Sequence, residues 1–134
     1  MICWPLSLIC PRARLVPAVE AHLVSRTDAL IAELKADPQV TAQPGIAINA
    51  ARECQAACAY LRTNGHRMAA PLLALIGTND RVVSLPIARQ FVDDASSTDK
   101  EFVSVDGGWH LLLHEPEHRD MMIKKLTTWI RQRL

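Results

Sequence analysis

An aspartate and a histidine in the second half of the chain have the side chains that acid–base catalysis needs. Asp80 lies in a Gly-Thr-Asn-Asp-Arg segment after an apolar run, and His110 lies in Asp-Gly-Gly-Trp-His after another. A carboxylate that accepts an imidazole N–H fixes the histidine tautomer, so that the other ring nitrogen can act as a general base toward a hydroxyl group. The alternative interpretation is a turn aspartate and a surface histidine.

The segments before these residues predict two strands. Leu72–Ile76 is entirely apolar and is followed by Gly77, which is typical of a strand buried on both faces in a parallel sheet. Phe102–Val105 predicts a second strand. Because the carboxyl ends of parallel strands meet at one edge of a sheet, Asp80 and His110 can touch although 30 positions separate them.

Helices are predicted after both strands. Ser84 and Pro86 open the first helix, and Pro116 begins the second. The predicted buried faces are Ile87, Ala88, Phe91, Val92 and Ala95 in the first, and Ile123, Leu126, Trp129, Ile130 and Leu134 in the second. The order strand, helix, strand, helix predicts an α/β fold with helices packed on a parallel sheet.

The first half of the chain predicts helices and no strand. A helix begins at Thr27 or Asp28 and ends near Lys35, and the segment 1–17 is expected to be irregular. A turn is predicted at residues 44–45. A longer helix carries a stripe of small residues and ends at Asn64-Gly65. Its stripe comprises Ala47, Ala50, Ala51, Cys54, Ala57, Cys58 and Leu61.

The predicted sheet is incomplete. Two strands do not make a stable parallel sheet alone, and Leu72–Ile76 is too apolar for an exposed edge strand. Either a partner chain supplies further strands, or the sequence is the C-terminal piece of a larger protein.

Composition indicates one globular domain at most. The 134 residues are 49% hydrophobic and 22% charged, with a net charge of +1, which excludes intrinsic disorder and argues against a nucleic-acid partner. No apolar stretch reaches the roughly 20 residues that a membrane span requires. The apolar N-terminus lacks the basic start and cleavage pattern of a signal peptide, so we expect an intracellular chain.

Neither a disulfide framework nor a cofactor is expected. Cys3, Cys10, Cys54 and Cys58 are interpreted as reduced, buried small residues, although the last two are one helical turn apart. Three histidines spaced by four, at 110, 114 and 118, would suggest a metal face on one helix. Pro116 interrupts that spacing, so no metal site is predicted, and His114 and His118 are expected to be solvated.

The second half resembles the C-terminal third of α/β-hydrolases, especially the monoacylglycerol lipase and lysophospholipase branch, also described as the serine aminopeptidase S33 group. The shared pattern is P-x-L-x-x-x-G-x-x-D, then D-K, G-x-x-H, E-P and a tryptophan in the last helix. Its members here are Pro71, Leu73, Gly77, Asp80, Asp99-Lys100, Gly107, His110, Glu115-Pro116 and Trp129. The resemblance implies that Asp80 is the acid and His110 the histidine of a catalytic triad.

The resemblance also implies a division of the chain. Residues 1–65 correspond to the cap, the helical segment that covers the acyl-binding crevice, and residues 66–134 to the last two parallel strands and their helices. The implied substrate is a small lipid ester, a monoacylglycerol or a lysophospholipid, which relates the chain to lipid metabolism. Peripheral membrane contact through the cap and self-association through the open sheet edge are further expectations.

The chain departs from the family at the nucleophile. The family motif G-x-S-x-G places a serine at a strained turn, but none of the six serines here has a glycine two positions before or after it. The expected function is therefore that of a serine hydrolase fragment that is inactive alone. The alternatives are a non-catalytic remnant that binds lipid or protein, and a hydrolase fragment specific for an epoxide or a peptide amide.

Overall fold

A computed structural model of the protein describes residues 3–41 and 45–134. Its helices and strands are α1 (Cys3–Ile9), α2 (Ala21–Val24), α3 (Asp28–Ala36), α4 (Pro38–Thr41), α5 (Ile48–Asn64), β1 (Leu72–Gly77), α6 (Leu85–Asp94), β2 (Lys100–Val105) and α7 (Pro116–Arg131). Short 3-10 turns follow α5 at Gly65–Arg67 and precede α7 at Leu112–His114. The predicted strand, helix, strand, helix order of the second half is confirmed.

The two strands form a parallel pair. Their register runs from Leu72 opposite Lys100 to Gly77 opposite Val105, so both strands end at the same edge. Helix α6 connects them and packs against both. This crossover is the connection that a parallel pair requires, because a hairpin can join only antiparallel strands.

Strand β1 is less covered than the sequence predicts. Its residues Leu72–Ile76 are half-buried, and only Gly77 is buried. Within the described residues the sheet has two strands, so one edge of β1 has no neighbour. The expectation of burial on both faces is therefore wrong for the chain by itself, and the prediction of an incomplete sheet is confirmed.

The core lies between β2 and α7. Val105, Leu112 and Met122 are buried together, and Leu75 and Val103 pack against them. Burial of such side chains stabilises a fold by about 1.5–3 kcal/mol each. The predicted inward face of α7 is partly wrong, because Ile123 and Ile130 are each 48% exposed and Leu134 is fully exposed. A helix with apolar residues on several sides has no unique buried face in its sequence; packing against the sheet selects Met122.

The N-terminal segment is more helical than predicted. Residues 3–9 form α1, whereas irregular structure was expected there. Pro5 is compatible with this helix because it lies in the first turn, where backbone N–H groups have no partner within the helix. Helix α1 packs on α5, and an antiparallel bridge joins Val16 to Ile46. The predicted turn at 44–45 lies partly outside the described residues; Gly45 has a φ of +84°.

Helix α5 has the predicted end but not the predicted burial. It stops at Asn64, yet only Ile48 and Ala51 are buried along it. Cys54 and Cys58 are free and exposed, which corrects their interpretation as buried residues. Helix α1 covers the start of the stripe, where Ala51 is buried, whereas the stripe from Cys54 to Leu61 is exposed in the described part of the chain.

The apolar face of helix α6, like that of α5, is only partly buried. Val92 is buried, as is Ala95 just after the helix, but Ile87 is 46% exposed. In the regions described, no helix is long and apolar enough to cross a bilayer.

Candidate active site

Hydrogen bonds join the loops that follow β1 and β2. The Thr78 N–H donates to the Val105 carbonyl at 2.9 Å, and the Asn79 N–H donates to the Gly108 carbonyl at 2.9 Å. In return, the Gly107 N–H donates to Thr78 Oγ1 at 2.9 Å. These bonds fix the relative position of the two loops, which carry Asp80 and His110.

Glycine at position 77 allows this close approach. A Cβ atom there would lie 2.1 Å from the Gly108 carbonyl oxygen, well inside contact distance. Gly107 has a φ of +70°, a left-handed conformation that other residues rarely adopt. The local structure therefore explains why glycine occupies both of these positions of the sequence pattern.

Asp80 and His110 are in direct contact. Asp80 Oδ2 lies 3.0 Å from His110 Nδ1. The aspartate side chain is 4% exposed and the histidine side chain 33% exposed. The structure thus brings together the two residues singled out in the sequence, with the carboxylate buried and the imidazole accessible from solvent.

The other carboxylate oxygen of Asp80 is held by its own loop. Asp80 Oδ1 accepts the N–H groups of Val82 at 2.8 Å and Val83 at 2.9 Å. Burial, the largest single influence, raises the pKa of Asp80, but the Val83 N–H, the His110 imidazole and the Val82 N–H together outweigh it. The pKa of Asp80 therefore lies below its ordinary value, and the group is an anion at neutral pH.

This arrangement suits base catalysis at the far side of the imidazole. When Nδ1 carries the proton it donates to Asp80, and Nε2 is left as the acceptor. The buried anion also stabilises the imidazolium that forms when Nε2 takes up a proton. The pair therefore has the geometry of a carboxylate that orients a general base.

An apolar cleft of about 310 Å³ opens beside the imidazole. Its lining residues are Leu75, His110, Leu111, Leu112, Leu113, His114, Met122 and Leu126. Apart from the two histidines these side chains are those of leucine and methionine, so the space beside His110 is suited to hydrocarbon.

Glu115 is a buried residue of the site to which the sequence interpretation assigned no role. Its side chain is 0% exposed, and its Oε1 accepts the Trp109 N–H at 2.8 Å. His118 is 15% exposed, with Nε2 3.5 Å from Glu115 Oε2, so its expected solvation is wrong. The Glu-Pro pair at the start of a helix was the available signal, but it is equally typical of an exposed first turn.

The described residues hold no group of three or more His, Cys, Asp or Glu side chains that could bind a metal. His110 and His114 precede α7, which begins at Pro116, and His118 lies within it. The three histidines are therefore not on one helix.

Comparison with known proteins identifies the family. The model of the serine aminopeptidase S33 family matches residues 1–117. The monoacylglycerol lipase of Mycolicibacterium smegmatis is 29% identical over 115 residues, which cover 86% of this chain and 40% of that protein.

Solved structures show the same fold. A soluble variant of the Saccharomyces cerevisiae monoglyceride lipase, in complex with a substrate analogue, superposes with a TM-score of 0.87 at 18% identity, over 99% of this chain and 48% of that one. The Paleococcus ferrophilus monoacylglycerol lipase superposes with a TM-score of 0.79 at 21% identity, over 96% and 49%.

The chain thus spans about half the length of these lipases, or less. The family match covers most of its residues, and its fold, with an incomplete sheet, is that of part of an α/β-hydrolase. The chain belongs to the serine aminopeptidase S33 family of α/β-hydrolases.

Proposed function

We propose that this chain supplies the acid and the base of a serine ester hydrolase that acts on monoacylglycerol or lysophospholipid esters. The observation that supports this best is the 3.0 Å contact between Asp80 Oδ2 and His110 Nδ1, at the adjacent ends of two parallel strands. In this proposal, the pair forms two of the three residues of a catalytic triad.

The proposed reaction is acyl transfer through a covalent intermediate. His110 Nε2 removes the proton from a serine hydroxyl as its oxygen attacks the ester carbonyl. The same nitrogen then donates the proton to the departing alcohol oxygen, which leaves an acyl-serine. Water, deprotonated by His110 Nε2, attacks the acyl-serine carbonyl. As the bond to the serine oxygen breaks, Nε2 returns that proton to this oxygen, which releases the fatty acid and restores the serine and the neutral imidazole.

The nucleophile in this proposal lies outside the given sequence. None of the six serines lies in a G-x-S-x-G motif, and the chain covers 40% of its lipase relative. The serine would come from a preceding part of a longer protein or from a separate chain, and the 134 residues alone would be inactive. Residues 1–65 would form the cap and residues 66–134 the end of the catalytic core.

The surface next to β1 supports this completion of the sheet. An apolar groove of about 770 Å³ lies between α5, β1 and α6. Leu61 and Ile87 line it and are each about half exposed. Additional strands and helices on this side would bury the groove and pair the open edge of β1.

Exposed apolar side chains in the first 20 residues support peripheral membrane contact through the cap. Leu8 is 71% exposed, Ile9 81% and Leu15 66%. Such residues can enter the headgroup region of a bilayer, where an intracellular lipid esterase meets its substrate.

The test is to capture the protein from its own cells with an antibody against α7. We expect the captured material to react with a fluorophosphonate probe, which labels activated serines, and to hydrolyse monoacylglycerol. In cells that carry His110→Ala, the hydrolysis should fall by at least about 1,000-fold, because the general base is lost.

Two results would contradict the proposal. One is captured material without a probe-reactive serine or esterase activity; the other is undiminished activity in His110→Ala. The first favours a second function, that of a non-catalytic module that binds lipid or protein through the groove. The apolar groove beside an unpaired strand edge is the observation that supports this alternative, with self-association through that edge.

A further inference from the structure

Glu115 has a polar side chain in a place where an unpartnered polar group is costly. Its side chain is fully buried at the start of α7. Burial of a carboxylate is unfavourable unless its oxygens find donors. Oε1 finds one, the Trp109 backbone N–H at 2.8 Å, whereas Oε2 has only the His118 imidazole, at 3.5 Å.

The backbone of Glu115 is itself fixed. Its carbonyl accepts the N–H groups of His118 at 3.0 Å and Arg119 at 2.9 Å, in the first turn of α7. Its N–H donates to the Leu112 carbonyl at 3.3 Å. The carboxylate therefore extends from a rigid helix end and contacts the loop before it.

The hydrogen bond from the Trp109 N–H to Glu115 fixes the peptide that directly precedes His110. The Trp109 N–H is bound to Glu115, and the Leu111 N–H donates to the Val24 carbonyl at 3.1 Å. His110 thus lies between two backbone N–H groups that are both held, one by the side chain of Glu115 six residues away and one by the Val24 carbonyl in the first half of the chain. These two bonds fix the backbone from which the His110 side chain reaches Asp80.

We propose that Glu115 is a positioning residue that keeps the His110 imidazole against Asp80 through the Trp109 backbone. The catalytic importance of this contact rests on the proposed function. A displacement of about 1 Å between reacting groups can lower a rate about 100-fold. Glu115 prevents such a displacement by accepting the Trp109 N–H, which an apolar side chain of equal size could not do.

The test uses NMR on the whole chain and does not depend on enzymatic activity. Glu115→Met keeps the volume but removes the acceptor, and Glu115→Gln keeps an oxygen that can accept the Trp109 N–H. Glu117→Gln is the matched control, since Glu117 lies two residues further on, is exposed and pairs with Arg26. The readouts are the downfield Nδ1 proton of His110 and the exchange rate of the Trp109 amide.

In the wild type and in Glu117→Gln we expect the downfield signal and a Trp109 amide that exchanges at least tenfold more slowly than in an unstructured peptide. Glu115→Gln should retain the signal, and Glu115→Met should lose it. A signal that persists unchanged in Glu115→Met overturns the inference. If that variant does not fold, a wild-type Trp109 amide without protection, or loss of the signal in Glu115→Gln, overturns it.

These outcomes separate the inference from the proposed function. Absence of the downfield signal in the wild-type chain would contradict the Asp80–His110 contact. Both the positioning role of Glu115 and the proposed function would then lose their basis. A wild-type signal that does not depend on Glu115 contradicts the positioning role alone and leaves the acid–base pair as the basis of catalysis.

Discussion

At the residue scale, Asp80 combines burial with several donors. Two backbone N–H groups and one imidazole nitrogen surround a side chain that is 4% exposed. Hydrogen bonds to a charged group contribute about 1.5–3 kcal/mol, more than those between neutral groups. The carboxylate therefore stabilises the loop after β1 as well as orienting His110, and both effects depend on its ionised form.

We expect Asp80→Asn to lower the free energy of unfolding by about 1.5–3 kcal/mol at neutral pH. The pKa of Asp80 in the folded chain lies below its ordinary value of 3.8. Its contribution is therefore complete above that value and is lost as the pH falls through the lower, folded-state pKa. Urea unfolding of the wild type and of Asp80→Asn between pH 7 and pH 2 measures the difference between their free energies of unfolding. This difference should become smaller only in the acidic range.

Asp99→Asn is the control for this measurement. The Arg133 guanidinium lowers the pKa of Asp99 as well, but this carboxylate lies away from the loop after β1, just before the start of β2. A stability difference for Asp80→Asn that is the same at pH 2 and pH 7 would show that the ionised form of Asp80 is not preferentially stabilised.

Some residues of the site could be predicted from the sequence and others could not. Asp80 and His110 were identifiable because each follows an apolar strand, and strand ends converge by geometry. The roles of Glu115 and His118 depend on how the start of α7 meets the preceding loop, which is a tertiary contact without a sequence period. Cys54 and Cys58 show the opposite error, since a small-residue stripe predicts a contact but does not supply the partner.

At the element scale, the ends of β1 and β2 must approach more closely than side chains allow. A methyl group at Gly77 would lie 2.1 Å from the Gly108 oxygen and 2.3 Å from its carbonyl carbon. These are backbone atoms and cannot rotate away. The strand ends would have to separate, which would break the hydrogen bonds between the two loops.

We expect Gly77→Ala to lower the free energy of unfolding by about 3 kcal/mol, the upper end of the cost of overpacking. Gly107→Ala is the control, because its Cβ would meet nothing within 4 Å and only the φ of +70° is strained. That variant should cost about 1–2 kcal/mol. Urea denaturation measures both, and equal costs would contradict the close approach at Gly77.

The sequence predicted where helices and strands begin and end better than it predicted which of their faces are buried. Pro116, Gly77 and Gly65 lie where the chain changes element, because their backbone preferences are local. The buried face of α7 is predicted wrongly at Ile123, Ile130 and Leu134, because buried and exposed positions of this helix both carry apolar side chains and only packing distinguishes them. Helix α1 is not predicted because residues 1–17 contain three prolines, a composition typical of irregular structure, although the first turn of a helix tolerates proline.

At the scale of the whole molecule, the described chain leaves apolar surface open to solvent. Strand β1 has one unpaired edge, and the groove beside it is bordered by α5 and α6. Large contiguous apolar patches on a protein surface mark sites of interaction. The half-buried state of β1 is thus explained by a sheet whose remaining strands are not among these residues.

The isolated chain should therefore bind a hydrophobic dye or self-associate. Leu61→Glu places a charge in the groove and should reduce dye fluorescence or dimer formation several-fold, because a charge is costly to bury. Leu8→Glu is the matched control: Leu8 is 71% exposed and lies outside the groove lining. Dye titration and analytical ultracentrifugation measure the two effects. A cooperative, strictly monomeric chain without dye binding, or equal effects of both substitutions, would contradict an uncovered surface at β1 and, with it, the need for further strands.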